Sequence, residues 1–91
     1  MPNILIEKAP SPMKLEIMGV DDWQTERWEP GVHFEFCSIV QTNHIACGCG
    51  SISVADEGEY DFDEGDLITV MPETECQWNI TEAIERFYKN G

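Results

Sequence analysis

Few side chains in this sequence can coordinate or attack. There are four cysteines, Cys37, Cys47, Cys49 and Cys76, and two histidines, His33 and His44. Thiolate and imidazole together suit a tetrahedral Zn²⁺ at about 2.0–2.3 Å, or Fe or Cu by softness. On an extended chain His33 and Cys37 share a face, and so do Cys47 and Cys49. Two residues apart on a strand, the latter pair stand about 6.6–6.8 Å apart at Cα. That is the far edge of the range for a disulfide, while two thiolates on one metal fit it well. No cysteine lies beside Lys, Arg or His in sequence, so nothing predicts a lowered thiol pKa. The simpler reading is that the thiols are small buried apolar groups, as free cysteines commonly are. We therefore expect no cofactor. If one binds, a divalent transition metal (Zn or Fe) is the candidate.

A second set of residues suits a ligand pocket, which is built from aromatic walls and a few polar groups. Phe34, Phe36, Tyr60, Trp78 and Tyr88 supply the aromatic part, and Glu35, Gln77 and Arg86 the polar part. In so small a domain the same aromatic residues equally serve as core. The run from Asp56 to Asp66 holds seven acids in eleven residues. It lacks the twelve-residue Ca²⁺ loop and its closing Glu, and it reads as solvated turns. Asn79-Ile80-Thr81 matches a glycosylation acceptor, but we see no export signal and take the match as chance. No Ser/His/Asp constellation, phosphate-cradling loop or nucleotide motif is present.

These residues must be positioned by short strands. Pro2, Pro10 and Pro12 make residues 1–12 an extended N-terminal arm, with Ile4 and Ile6 alternating as a short edge strand. Lys14-Leu15-Glu16-Ile17-Met18 alternates again. Asp21 to Pro30 reads as a surface connection anchored by Trp23 and Trp28, with room for a helical turn, and Pro30-Gly31 signals a turn. From Val32 the period is two: Val32, Phe34, Phe36, Ser38 and Val40 on one face, His33, Glu35, Cys37 and Ile39 on the other. Gln41-Thr42-Asn43 reads as a hairpin turn. Residues 44–54 form the next strand, in which Gly48 and Gly50 predict a bulge or a close backbone approach. Turns at Asp56-Glu57-Gly58 and at 63–66 bracket the alternating Glu59-Tyr60-Asp61-Phe62. Leu67 to Met71 is a buried-strand candidate, and residues 76–80 alternate. The ending, residues 81–88, fits a capped helix or a closing strand. Short strands at regular spacing, punctuated by Gly, predict an all-β sandwich or barrel and favour the strand.

Ninety-one residues, of which 42% are hydrophobic and 25% charged, describe one globular domain rather than a disordered chain. So small a domain is marginally stable, and dimerisation is an obvious way to add burial. Eighteen acids against five bases give a net charge of −13, which repels a phosphate backbone and an anionic membrane surface. We therefore expect neither nucleic acid nor membrane as partner. No apolar run approaches the 18 residues of a membrane span, and Met1 to Lys8 does not read as a signal peptide. A cytoplasmic location with free thiols follows as an expectation.

The order of features then becomes recognisable. Gly50-Ser51-Ile52-Ser53-Val54 is followed by an acidic turn, Tyr60, Phe62, and Gly65-Asp66-Leu67-Ile68-Thr69-Val70. Pro72, Trp78 and Glu82-x-Ile84-x-Arg86-x-Tyr88 come after. Together with Ile6-Glu7-Lys8, Trp23 and Trp28, this resembles the small single-domain cupins over nearly the whole chain. More narrowly, it is similar to the group related to the cupin domain of (S)-ureidoglycine aminohydrolase, many of whose members have no assigned function. The resemblance implies an all-β, jelly-roll-like double-sheet barrel spanning 1–91 with little helix, usually a homodimer.

The chain departs from the cupin metal pattern where chemistry would sit. Counting back from Gly50 puts Asn43, with His44 beside it, where the Glu ligand belongs. Counting on from Gly65 puts Cys76 where the third His belongs. Cys37-Ser38-Ile39 occupies the region of the His-x-His pair, and Glu73 and Thr74 replace the glycine region after Pro72. The usual three-His, one-Glu site is therefore missing. The expected role is binding of a small molecule in the barrel. A metal-dependent enzyme acting on a small molecule (amidohydrolase- or isomerase-like), with a Cys/His site drawn from His33, Cys37, His44 and Cys76, and a non-catalytic dimeric interaction module are the alternatives.

Overall fold

The structure, a computed structural model, describes residues 2–55 and 57–91. Seven strands and one short helix follow in order: β1 (Ile4–Glu7), α1 (Pro12–Met18), a 3-10 turn (Val20–Asp22), β2 (Gln24–Trp28), β3 (Gly31–Cys37), β4 (Gln41–Val54), β5 (Gly58–Phe62), β6 (Leu67–Val70) and β7 (Thr74–Asn90). Every pairing is antiparallel. The all-β expectation holds, and the ending is a strand: β7 runs unbroken through residues 81–88.

Two long strands organise everything else. The first half of β7 pairs with β3, and its second half with β2. The first half of β4 pairs with β6 and its second half with β5, while β4 and β7 pair along their length. The ladder therefore divides into two layers that share β4 and β7. One layer is β3–β7–β4–β5 and the other is β2–β7–β4–β6–β1. The crossing between layers falls at Gly48 and Gly50, where the β4–β7 register shifts three times between Ile45 and Gly50. Gly48 has φ +87°, and a Cβ there would meet the Ala83 carbonyl oxygen at 2.1 Å; at Gly50 it would meet the Asn79 oxygen at 2.3 Å. The close approach read from these two glycines is what allows the strands to bend.

Alternation puts one set of side chains between the layers. Ile4, Ile45, Ile52, Phe62, Ile68, Val70, Trp78 and Ile84 are fully buried there. Burying eight such side chains supplies the main driving force for the fold, at roughly 1.5–3 kcal/mol each.

Four sequence expectations need correction. Lys14–Met18 is helical: Ser11 Oγ accepts from the Lys14 N–H at 3.2 Å, Pro12 opens the first turn, and Gly19 at φ +73° closes it by donating to Glu16 and Leu15 carbonyls. Those caps outweigh an alternation of five residues. The connection Asp21 to Pro30 contains β2, whose Glu26 and Trp28 face inward toward Arg86. The break between β3 and β4 lies at residues 38–40, and Gln41-Thr42-Asn43 already belongs to β4; β3 pairs with β7 and β4 with β5, β6 and β7, so the connection is a crossing between layers and not a hairpin. Of the stretch read as an extended arm, Ile4–Glu7 pairs with β6 and Pro12 starts α1. Met1 and Asp56 lie outside the described residues.

The acidic stretch does more than solvate turns. Asp66 is buried, and its carboxylate accepts from Lys8 Nζ at 2.7 Å, Asp63 N–H at 2.8 Å and Ala9 N–H at 3.2 Å. Glu57 accepts from the Asn3 N–H at 2.8 Å. The two acids staple the N-terminal segment to the barrel.

Candidate functional site

The inward face of β7 continues past Ile84 to Arg86, which is 1% exposed. A buried guanidinium requires acceptors, and three strands supply them. From β2, Glu26 Oε1 accepts from Nη2 at 2.7 Å. From β3, Glu35 takes both ends of the fork, Oε1 from Nη1 at 3.0 Å and Oε2 from Nη2 at 2.8 Å. From β4, Asn43 Oδ1 accepts from Nη1 at 2.9 Å, and Gln41 Oε1 accepts more weakly at 3.4 Å. Asn43 is oriented in turn by donating to Gln41 Oε1 at 3.1 Å and to the Ile68 carbonyl at 3.4 Å. The guanidinium lies 4.1 Å from the Trp28 ring centroid and 4.5 Å from that of Tyr88, within cation–π range of both.

Burial alone would lower the Arg86 pKa, but Glu35 and Glu26 outweigh it and raise it, so the group stays charged. Two carboxylates around one guanidinium leave the cluster with a local charge of −1. Glu26 and Glu35 remain partly exposed at this end of the barrel, whereas the interior beyond Arg86 is filled by Trp78 and the aliphatic core. Arg86 Nε and Trp78 Nε1 are buried N–H donors with no acceptor among the described residues.

The eight pocket residues read from the sequence divide between two faces, with the Tyr88 ring lying against Arg86. Glu35, Trp78 and Arg86 face the interior, and Tyr60 packs against the core and donates to Glu57 Oε1 at 3.2 Å. Phe34 and Phe36 are exposed on the outer face of β3, opposite to Glu35. Gln77 lies on the same outer face, bonded to Asn79 at 3.0 Å. The interior alternation was legible; the side on which the phenylalanines fall was not.

The four metal candidates are not drawn to one point. His33 stacks on Trp28 with centroids 4.9 Å apart, and its Nε2 meets the Glu29 carbonyl at 2.9 Å. Cys37 and Cys76 are buried in the core, where desolvation pushes their thiols up to about 11 and about 12, so both are neutral. His44 faces the other way, into a cavity of about 330 Å³ under α1 lined by Leu15, Val20, Asp21 and Phe87. Desolvation lowers its pKa. Among the described residues no three His, Cys, Asp or Glu side chains are grouped to hold a metal ion.

Comparison with known proteins follows the geometry. A family profile for the EutQ-like cupin domain matches residues 19–88. The chain belongs to the EutQ-like cupin family. This cupin is similar in structure to a DUF861 family protein of Thermotoga maritima, with a TM-score of 0.90, 25% sequence identity, and coverage of 97% of this chain and 99% of the other. It shares the fold of a DUF1255 protein of Acidithiobacillus ferrooxidans (TM-score 0.66, 12% identity, 70% and 61% of the chains). It also shares that of the Clostridium difficile EutQ protein (0.65, 11%, 93% and 64%). No curated protein sequence matches it significantly.

Cupins often hold a metal inside the barrel, so the fit of one here needs testing. A metal needs free lone pairs. In this cupin the oxygen of Asn43, at the position of the Glu ligand, is given to Arg86, as are both oxygens of Glu35. Cys76, at the position of the third His, is a neutral thiol. Of the three buried side-chain atoms without a partner among the described residues, Trp78 Nε1 and Arg86 Nε are N–H donors that oppose a cation, and the third, His44 Nδ1, lies apart from them beside the cavity under α1. The residues do not fit a metal: the guanidinium already supplies the positive charge at that place. Glu26, Gln41 and Asn43 were not singled out as binding residues from the sequence. The signal that could have found them is the even spacing of Glu26 and Trp28, and of Gln41, Asn43 and Ile45, which places each set on one inward face.

Proposed function

We propose that this cupin binds a small, donor-rich polar molecule at the polar end of its barrel, without a metal, as a homodimer in a reducing compartment such as the cytoplasm. The carrying observation is the buried Arg86, held by Glu26, Glu35 and Asn43 and flanked by Trp28 and Tyr88. Arg86 fixes the two carboxylates and leaves the cluster one charge negative. The partly exposed carboxylate edges of Glu26 and Glu35 then favour ammonium, amide or hydroxyl donors over anions. Trp28 and Tyr88 add flat apolar walls. The free thiols, two of them buried, support the reducing compartment. The narrower kinship with the group around (S)-ureidoglycine aminohydrolase remains part of this reading, and it is consistent with a nitrogen-rich ligand.

The test is a thermal-shift and calorimetric comparison of three probe sets: amines and amides, polyols, and mono- and dicarboxylates. Binding among the first two sets, lost in Glu26→Gln, is the expected outcome. Response to carboxylates alone, or an unaltered response in Glu26→Gln, overturns the reading.

A further inference from the structure

Across the layer β2–β7–β4–β6–β1 the registers align one row of outward side chains: Thr25, Phe87, His44, Leu67 and Glu7. Leu67 and Ile68 are both buried, although neighbours on a strand point to opposite faces. Ile68 belongs to the core between the layers, so Leu67 is covered from outside. A strap formed by α1 and the 3-10 turn lies over this row. Its Lys14 bonds Glu7 at one end, and its Val20 is buried, like Leu67, outside the central core. The strap does not close on the sheet. Between them is the cavity of about 330 Å³, and α1 buries no residue of its own. The helix therefore roofs a space of the size of a small ligand pocket.

The lining selects one charge. Pro12, Leu15, Val20 and Phe87 are apolar, Glu16 and Asp21 are carboxylates, and no basic side chain lines the cavity among the described residues. Lys14 is held by Glu7, and Lys89 lines a separate hollow with Asp22. The Phe87 and His44 rings stand 6.4 Å apart at 38°, an open wedge of two aromatic faces. Burial without a counter-charge holds His44 below its ordinary pKa, so the imidazole is neutral at pH 7 and repels no cation. As packing alone, His44 is a poor choice. Its buried Nδ1 has no partner among the described residues, and a phenylalanine would fill the same place without a stranded polar atom.

We propose that this cavity is a second binding site, which takes a small ammonium compound with a short apolar body. The carboxylates of Glu16 and Asp21 and the faces of Phe87 and His44 hold the charged head. Pro12, Leu15 and Val20 receive the apolar body. Phe87 points away from the barrel interior that Arg86 occupies, so the site is separate from the barrel ligand proposed above and independent of it.

NMR of the aromatic rings in the full chain tests it, with benzylammonium as the probe and benzyl alcohol and benzoate as its neutral and anionic counterparts. Saturable shifts of the Phe87 and His44 rings are expected with benzylammonium, on the order of 10-fold weaker with the alcohol and absent with benzoate. Hydrogen exchange in α1 should slow as the probe is added, because the ligand joins the strap to the sheet. The double variant Glu16→Gln, Asp21→Asn should bind the probe on the order of 10-fold more weakly. Both positions are exposed, so its circular dichroism should match that of the wild type. Equal binding of the alcohol, or a double variant that binds as tightly as the wild type, overturns the cationic ligand. Absence of a saturable shift at Phe87 and His44 overturns the site. If shifts then appear at Trp28 and Tyr88 alone, the amine belongs to the Arg86 end, and the barrel reading stands while this one falls.

Discussion

Removing the Arg86 guanidinium while keeping an unbranched chain, as in Arg86→Met, strands Glu26 and Glu35 against each other and leaves Asn43 Oδ1 without its donor. Breaking a buried ion pair costs about 3–5 kcal/mol. Both carboxylates here keep some contact with water, so we expect about 3 kcal/mol, measured by urea unfolding. Arg86→Lys keeps the charge but cannot reach three strands with one ammonium, and should recover less than half of the loss. Arg86 and Glu35 could be picked from the sequence as polar groups on aromatic-rich strands. Their union could not, because it depends on β2 lying beside β7, and β2 was hidden in a segment with five charged residues. Asn43 and Cys76 were legible as positions where metal ligands are missing. What replaces the metal becomes visible only when four strands meet.

At the scale of the elements, capping and bends decide what alternation leaves open. The strand pattern was readable from Val32 onward, because half-buried strands carry a two-residue period. It failed at α1, where Ser11, Pro12 and Gly19 set the helix and no residue of it is buried. Periodicity reports burial, and an unburied helix carries little of it. A related conflict lies at the start of β7. Glu73 has φ +57°, where the cupin pattern has its glycine region. A side chain in the left-handed region costs roughly 1–2 kcal/mol, partly offset by the greater freedom of glycine in the unfolded chain. Glu73→Gly should therefore raise stability by about 0.5–1 kcal/mol, read as a higher melting temperature with unchanged circular dichroism. A lower melting temperature would show that the left-handed turn is not strained.

For the whole molecule, stability should follow pH through specific acids and one histidine more than through the total charge. Burial alone would raise the Asp66 pKa, but bonds from Lys8, Asp63 N–H and Ala9 N–H, with the Lys8 charge, lower it. The Asn3 N–H, ahead of the other contacts, lowers that of Glu57. A carboxylate whose folded pKa is depressed stabilises the fold above its unfolded pKa, near 4, and loses that contribution as pH falls through the folded value. His44 adds an earlier step. Desolvation lowers its folded pKa, so below about 6.5 the unfolded chain binds the proton first and stability declines. Melting temperature should thus be flat between about pH 7 and 8, fall through a shallow step below about 6.5 and steeply below about 4, and fall again above about 8.5, where unfolded thiols ionise while burial keeps Cys37 and Cys76 neutral. His44→Phe should remove the shallow step and leave the steep one. Asp66→Asn should lower the plateau by about 2 kcal/mol, the scale of hydrogen bonds to a charged group, and flatten the steep step. It also frees residues 8 and 9 from the barrel, so hydrogen exchange in β1 should rise in that variant and stay unchanged in His44→Phe. If Asp66→Asn leaves the steep step intact, the acid sensitivity belongs to other carboxylates whose native contacts favour the ionised form, Glu57 first among them, and the staple at Asp66 contributes little to it.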